Sequence, residues 1–588
     1  MKLLLLSAFF TCFSLGTAAA AGKPNIVVIL SDDQGWGDLS VNGNTDLSTP
    51  NIDSLAKDGA LFDRFYVCPV CAPTRAEFFT GRYFARTGVH GVSNGEERLN
   101  LDEVTIAQTF KDAGYATGAF GKWHNGSQFP YHPNARGFEE YYGFTSGHWG
   151  SYFDAEIDHN GRIERGKGFM ADDLTEHAMA FIEQHKESPF FCYIPYNTPH
   201  SPMQVPDKFY QKFAKADIMQ RSSMPDKEEI DHTRAALAMC ENLDWNVGRV
   251  LEKLKQLNLS ENTIIIYFSD NGPNGWRWNG GMKGKKGSVE EGGVRVPFLI
   301  RWPGKIAAGK RVSQIAGAID LFPTLCDLTG VAVPATKPMD GRSLKPLLLD
   351  AKNAAWPERE FISFQAGGKN KQVSIRSQDF RLDPTGALFD MNADPGQKLN
   401  VAAQHPDELK RLNDISQKFI TEVTPVLASA KDRPYSVGYA PLTYLPARDG
   451  EPHGTVQRSG KAPNCSYFTH WTRTDDTVTW DIEVGEAGAY EAILYYTCAP
   501  ANVGTEMELR FAGKTLRTTV TEAHDPPAYG KEQDRADRDS ESYVKDFKPL
   551  SMGVIELAKT RGLLTLQAPK IIGNSAVEIR YVMLVKKS

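Results

Sequence analysis

Two short runs of residues constrain this chain more than any other feature. Asn25-Ile26-Val27-Val28-Ile29-Leu30 and Thr263-Ile264-Ile265-Ile266-Tyr267-Phe268 are apolar at consecutive rather than alternate positions. A strand sends successive side chains to opposite faces, so a run of this kind is a strand buried on both. Between the two lie helical patterns, such as Leu243, Val247, Val250, Leu251, Leu254 and Leu257. Strands alternating with helices from Pro24 to about residue 345 predict an α/β fold with a mixed, mostly parallel sheet sandwiched by helices. Ligands in such folds bind beyond the carboxyl ends of the strands. Both runs end on hard oxygen ligands, Ser31-Asp32-Asp33 and Ser269-Asp270-Asn271.

The rest of the chain divides by pattern. At 588 residues it is too long for one core. Lys2, a short apolar stretch and Ala18 to Ala21 predict a signal peptide over residues 1–21, hence a periplasmic or secreted protein. The catalytic α/β domain is expected over 22–350. Short strands at Phe361–Phe364, Val373–Arg376 and Ala387–Asp390, then a helix over Pro406–Thr421, predict a small C-terminal α+β subdomain over 351–430. Pro, Gly and Tyr suggest a linker over 431–450. Period-two alternation in Thr477–Ile482, Tyr490–Tyr496 and Val577–Met583 predicts an appended β-sandwich over 451–588. The charged stretch Lys531–Glu541 reads as a solvated loop.

A net charge of −6 argues against broad electrostatic binding to nucleic acid or an anionic membrane. No segment after the leader is long and apolar enough to span a bilayer. Seven cysteines follow the leader, too widely spaced for a disulfide scaffold; Cys465 and Cys498 share one region and are candidates to pair.

The chemistry concentrates in Cys71-Ala72-Pro73-Thr74-Arg75, continuing to Gly81-Arg82. This resembles the signature of the type I, formylglycine-dependent sulfatases of the alkaline phosphatase superfamily, with Thr74 where most members carry Ser. Other segments run in that family's order. They are Asp32-Asp33 with Gly35-Trp36-Gly37-Asp38, Gly121-Lys122-Trp123-His124, Pro199-His200-Ser201-Pro202, Asp270-Asn271-Gly272, and Lys286 to Gly293. Asn125 stands where many members have Leu. Leu388-Phe389-Asp390 with Asp394-Pro395 matches the family's C-terminal pattern, so the resemblance covers residues 24 to about 425.

The resemblance implies hydrolysis of sulfate monoesters, with Cys71 converted to formylglycine by a maturation enzyme. The hydrated aldehyde then attacks sulfur, and the covalent ester collapses as the aldehyde re-forms. It implies a metal site of Asp32, Asp33, Asp270, Asn271 and residue 71. Calcium is the family's usual ion, and magnesium is the physical alternative. Arg75 and Lys122 are expected to orient the nucleophile and His124 to help deprotonate it. His200 and Lys286 hold the sulfate, with His200 as the leaving-group acid.

Tyr131-His132-Pro133, Gly147-His148-Trp149-Gly150 and Gly275-Trp276-Arg277-Trp278 place aromatic and polar groups near these segments, as sugar rings require. His148, Trp149 and Arg277 are therefore candidate contacts to a sulfated carbohydrate. Asn125-Gly126-Ser127 is a formal sequon at the predicted site, which favours a bacterial source. Three rival readings stand beside this one: a redox or half-zinc site at Cys68-Pro69-Val70-Cys71, a phosphate or phosphonate ester hydrolase of the same superfamily, and a non-catalytic carbohydrate-binding protein.

Overall fold

The computed structural model describes residues 22–349, 356–366, 372–538 and 540–587. The expected signal peptide and the 350/351 boundary lie outside them. Ten strands form the central sheet: β1 (Asn25–Ser31), β2 (Ala60–Phe62), β3 (Ala116–Lys122), β4 (Glu140–Phe144), β5 (Glu156–His159), β6 (Arg162–Arg165), β7 (Phe190–Pro195), β8 (Thr263–Ser269), β9 (Phe298–Arg301) and β10 (Lys310–Val312). Their spatial order is β10-β2-β9-β8-β1-β7-β3-β4-β5-β6. The five inner strands from β8 to β4 are mutually parallel. Antiparallel pairs occur towards both margins.

The two apolar runs are β1 and β8, paired in register from Asn25–Thr263 to Ser31–Ser269. Ile26, Val28 and Leu30 pack into one core, and Val27 and Ile29 into the other. That division explains why every position must be apolar. One core holds the short helix α1 (Cys71–Thr80), whose ten residues are all buried. The other is covered by α2 (Met170–Gln184) and α3 (Ile230–Gln256), each amphipathic.

A four-stranded antiparallel sheet follows, with Phe380–Leu382 as a strand the sequence pattern did not reveal. Its helix α4 runs over Pro406–Ser429, two turns beyond the expected Thr421. This subdomain is bolted to the catalytic domain through Glu291. That buried carboxylate accepts from Arg381 at 2.8 Å and from the Tyr66 hydroxyl at 2.9 Å, with Arg376 at 3.5 Å and Arg295 at 3.6 Å.

Beyond it, two six-stranded sheets enclose a core containing Trp471 and Trp480. Residues 431–450 are not a linker. Tyr435–Val437 pairs with Thr477–Val484, and Leu442–Pro446 pairs with Glu578–Lys586. The Pro-Gly-Tyr composition hides two short strands that bury Tyr435, Val437 and Leu445, and Pro446 sits at a strand end where its missing N–H is tolerated. Cys465 and Cys498 are both unpaired thiols.

The described residues of Lys531–Glu541 are likewise only partly solvated, because several of them dock on the catalytic domain. Gln204 donates to the Gly530 carbonyl and to Asp534, both at 2.8 Å. Arg535 donates to the Val205 carbonyl at 2.9 Å, and Arg538 to the Gly150 carbonyl at 2.7 Å. The charges are tolerated because they pair internally, Arg538 with Asp534 at 2.8 Å.

Burial alone would push the Glu291 carboxyl up, but Arg381, Arg376 and Arg295 hold it at about 2 against an ordinary 4.5. The folded state therefore binds this proton more weakly than the unfolded state. Its stabilisation is complete above pH 4.5 and is lost as pH falls towards 2. Glu291→Gln leaves three arginines facing an uncharged group and is expected to cost about 3–5 kcal/mol. Acid melts of the two proteins will show the wild-type advantage shrinking across that pH window.

Candidate active site

The carboxyl ends of four parallel strands meet at one place. β1 runs into Asp32 and Asp33, β3 ends on Lys122 with His124 two residues on, β7 leads to His200, and β8 runs into Asp270 and Asn271. Adjacent parallel pairing of β8, β1, β7 and β3 forces these groups together. Helix α1 points its amino end at the same spot, with Cys71 as its first residue. A helix amino terminus favours negative charge there.

The charges interlock. Arg75, fully buried, donates to Asp270 through Nη2 at 2.8 Å and Nε at 3.1 Å, and to the Lys122 carbonyl at 2.6 Å. Lys122 Nζ lies 2.7 Å from Asp32, and Lys286 Nζ lies 2.7 Å from Asp33. Thr74 donates to the Asp270 carbonyl at 2.6 Å and accepts from the Cys68 N–H at 2.9 Å, work that either a Ser or a Thr hydroxyl performs. Asp33 and His124 both adopt left-handed backbone, with φ of 67° and 60°. Such strain costs of order 1–3 kcal/mol per residue and persists where the surroundings hold it.

The residues present fit a hard dication. Asp32 Oδ1 and Asn271 Oδ1 are buried without a hydrogen-bond partner among the described residues. The Asn271 amide nitrogen donates to Asp33 at 2.7 Å, which leaves its oxygen turned away from that bond. Ligand atoms of Asp32, Cys71 and Asp270 lie within 4.8 Å of one another, as do those of Asp32, Asp33 and His200. Clustered carboxylate and amide oxygens suit calcium or magnesium.

Electrostatics sort the remaining roles. Burial pushes the Asp270 carboxyl up to about 6, with Asp32 adding to the rise and Arg75 opposing it. Burial also raises Asp33, but His200, Lys286 and Lys122 outweigh it and hold the group well below the usual range. Burial raises the Cys71 thiol even against Lys122 and Lys286, and it raises Cys68 further. Reactive redox cysteines are shifted the other way, which speaks against the C-x-x-C reading.

The His124 Nε2 faces the Val92 carbonyl at 2.8 Å, so Nε2 carries the proton and the unpartnered Nδ1 carries the lone pair. Burial, then Lys122, keeps this ring neutral. His200 faces the Ser201 carbonyl through Nδ1 at 2.6 Å, which leaves Nε2 towards Asp33 at 3.6 Å. Burial lowers His200 to about 4.

The three substrate candidates fall in different places. His148 lines the catalytic cleft beside Cys71, His124 and His200. Trp149 instead lines a separate cavity between the domains with Tyr444, Arg580 and Tyr581, the Arg580 guanidinium lying 5.3 Å from its ring. Arg277 is 3% exposed and lies behind the site. It grips Asp38 through Nε at 2.8 Å and Nη2 at 2.6 Å, and reaches the Asp33 carbonyl at 2.9 Å. Its partner, far off in sequence, was invisible in the Trp-Arg-Trp motif.

Four further residues of the cleft, Ala462, Pro463, Asn464 and Glu541, come from the sandwich, and two of them bond across it. Asn464 donates to His148 Nδ1 at 3.1 Å, and Glu541 accepts from the Ser201 hydroxyl at 2.6 Å. Neither carries a motif. The only signal was a run of paired charges before Glu541.

Arg277→Ala removes the partner of buried Asp38, and it is expected to destabilise the protein by about 3–5 kcal/mol. A thermal melt with a lowered midpoint identifies a scaffold role. An unshifted melt with a raised KM would instead restore Arg277 as a substrate contact.

Comparison with known proteins agrees with this geometry. The sulfatase family model matches residues 24–331, and the model for the C-terminal region of N-sulphoglucosamine sulphohydrolase matches 284–423. Mouse (Mus musculus) N-acetylgalactosamine-6-sulfatase is 33% identical over 449 residues, covering 69% of this chain and 81% of the mouse protein. The N-acetylgalactosamine-6-O-sulfatase of Bacteroides thetaiotaomicron is 30% identical over 500 residues, covering 68% and 93%. The crystal structure of Ps i-CgsB in complex with k-i-k-neocarrahexaose superposes with a TM-score of 0.62 at 31% identity, covering 68% of this chain and 92% of that one. Neither family model extends into the sandwich. Motif order, strand-end geometry and these likenesses lead to one conclusion: the chain belongs to the sulfatase family of the alkaline phosphatase superfamily and is a sulfuric ester hydrolase.

Proposed function

We propose that this sulfatase removes sulfate from a sulfated carbohydrate, using formylglycine made from Cys71 and a calcium ion held by Asp32, Asp33, Asp270, Asn271 and residue 71. The observation that carries the reading is the meeting of residue 71, at the amino end of a buried helix, with Lys122, Lys286 and a carboxylate cluster whose Asp32 and Asn271 oxygens lack partners. The sugar is supported by two relatives named as N-acetylgalactosamine-6-sulfatases and by Ps i-CgsB, which was solved with a neocarrahexaose. The leader read at residues 1–21 makes export part of the same proposal.

When present, the formylglycine supplies the hydroxyl nucleophile, and the dication supplies positive charge against the sulfate oxygens. The chain's own residues do the rest. Arg75 fixes Asp270 and the end of β3. Lys122 and Lys286 present positive charge to an incoming sulfate. His124, neutral with Nδ1 unpartnered, accepts a proton from residue 71. His200 turns Nε2 towards the cleft, and the negative charge of bound sulfate favours its protonated form, which then donates to the leaving oxygen.

Tryptic peptides spanning residue 71, from protein made with a maturation enzyme, are expected to be lighter by about 18 Da, the change from thiol to aldehyde. That protein should release sulfate from 4-nitrophenyl sulfate, from a 6-sulfated N-acetylgalactosamine–hexuronate disaccharide or from a sulfated neocarra-oligosaccharide. It should act less well on 4-nitrophenyl phenylphosphonate. An unmodified thiol, or a preference for the phosphonate, would overturn the reading. Sugar binding without sulfate release would favour the non-catalytic alternative.

Chelation with EGTA should lower both the activity and the melting midpoint, because an ion bound only to the folded state stabilises it. Restoration by Ca2+ and not by Mg2+ would assign the ion.

A further inference from the structure

The catalytic cleft, about 310 Å³, contains Asp33, Cys71, His124, His148, His200 and Lys286. A second cavity of about 270 Å³ lies beside it, and the two share Ser201, Asn274 and Glu541 as lining. The second cavity has Trp276 and Lys285 on the catalytic side and Asp537, Arg538 and Ser540 on the sandwich side. The ring of Trp276 is half-buried, and the Lys227 and Lys285 ammonium groups lie over it at 5.6 and 6.0 Å from its centre. An aromatic edge among ammonium donors and carboxylate acceptors offers the apolar and polar contacts that a sugar ring takes.

The sandwich wall is rigidly built. Ser540 accepts from the Ala462 N–H at 3.0 Å, and Ser459 and Ser542 bond through their hydroxyls at 2.6 Å. Arg538 ties the Gly150 carbonyl at 2.7 Å to the Ser542 carbonyl at 3.0 Å. Glu541 rides on this frame with its side chain nine-tenths buried. One oxygen accepts from Ser201, next to His200 in the chain. The other has no hydrogen-bond partner among the described residues. A buried carboxylate oxygen without a donor is costly, and it marks a place where a ligand donor belongs.

We propose that the sandwich is part of the active site. The groove between Trp276 and the segment carrying Glu541 seats the sugar from which sulfate is removed. Glu541 is a specificity-determining residue whose second, unpartnered oxygen accepts a hydrogen bond from a hydroxyl of that sugar. The inference rests on the sulfatase reading above and deepens it. A site built to pair a hydroxyl discriminates strongly against substrates that lack one, because the carboxylate is then left bare.

The test uses the full, matured protein and compares kcat/KM on the oligosaccharides named above with kcat/KM on 4-nitrophenyl sulfate, which offers no sugar hydroxyl. Glu541→Gln preserves shape and an acceptor for Ser201. It is expected to lower the oligosaccharide-to-aryl ratio by about 10- to 100-fold, as loss of a charged hydrogen bond does. Trp276→Ala should lower the same ratio with the melting midpoint within a degree or two of wild type. Equal losses on both substrates would make Glu541 a support for the His200 segment and overturn the proposal. An unchanged ratio would overturn it as well. Failure of the wild-type protein to release sulfate from any of these compounds would instead overturn the sulfatase reading on which the test depends.

Discussion

A chain of buried opposite charges organises this protein. Arg75 with Asp270, Lys122 with Asp32, and Lys286 with Asp33 form three pairs across the mouth of the sheet, and all but Lys286 are essentially inaccessible. Isolated charges would not survive there, since each loses several kcal/mol of hydration. They are retained because the surrounding strands and α1 leave no other arrangement, and each carboxylate meets a cation at hydrogen-bond distance. The double-sided core of β1 and β8 supplies the rigidity that holds them. Stability is spent at the strand ends to keep a strongly polarised cavity in place, and that cavity is what a sulfate ester would meet.

The site's dependence on the sheet explains why so much of it was legible before the fold. Asp32 and Asp33 follow one apolar run directly, and Asp270 and Asn271 follow the other, so their meeting required only that the two runs be adjacent parallel strands. Cys71, Arg75 and Thr74 lie within one turn of a single helix. His124 and Lys122 lie at the end of a third strand. Short-range spacing carried these groups, and strand topology did the rest.

The misreadings share the opposite character. Arg277 was assigned by its aromatic neighbours, but its guanidinium is held by Asp38, a residue 239 positions away. Trp149 sits one residue from His148 yet faces another cavity, because adjacent positions in a loop diverge. The strand at Tyr435–Val437 has three residues, too few to show a period. The charged run before Glu541 looked solvated because its counter-ions and acceptors were partly local and partly on Gln204, Val205 and Gly150. Composition measures what a segment contains, whereas burial depends on what arrives to cover it.

The bond between Ser201 and Glu541 joins positions 340 residues apart. Translation at roughly 5–20 residues per second separates their emergence from the ribosome by on the order of 20 to 70 seconds. Once Val312 has emerged, the nascent chain holds every strand of the central sheet, while the wall that carries Glu541 is still to be made. The last quarter of the polypeptide therefore acts as a clock as well as a wall. Until it is made and docked, the cleft at residue 71 lacks the wall that Ala462, Pro463, Asn464 and Glu541 supply.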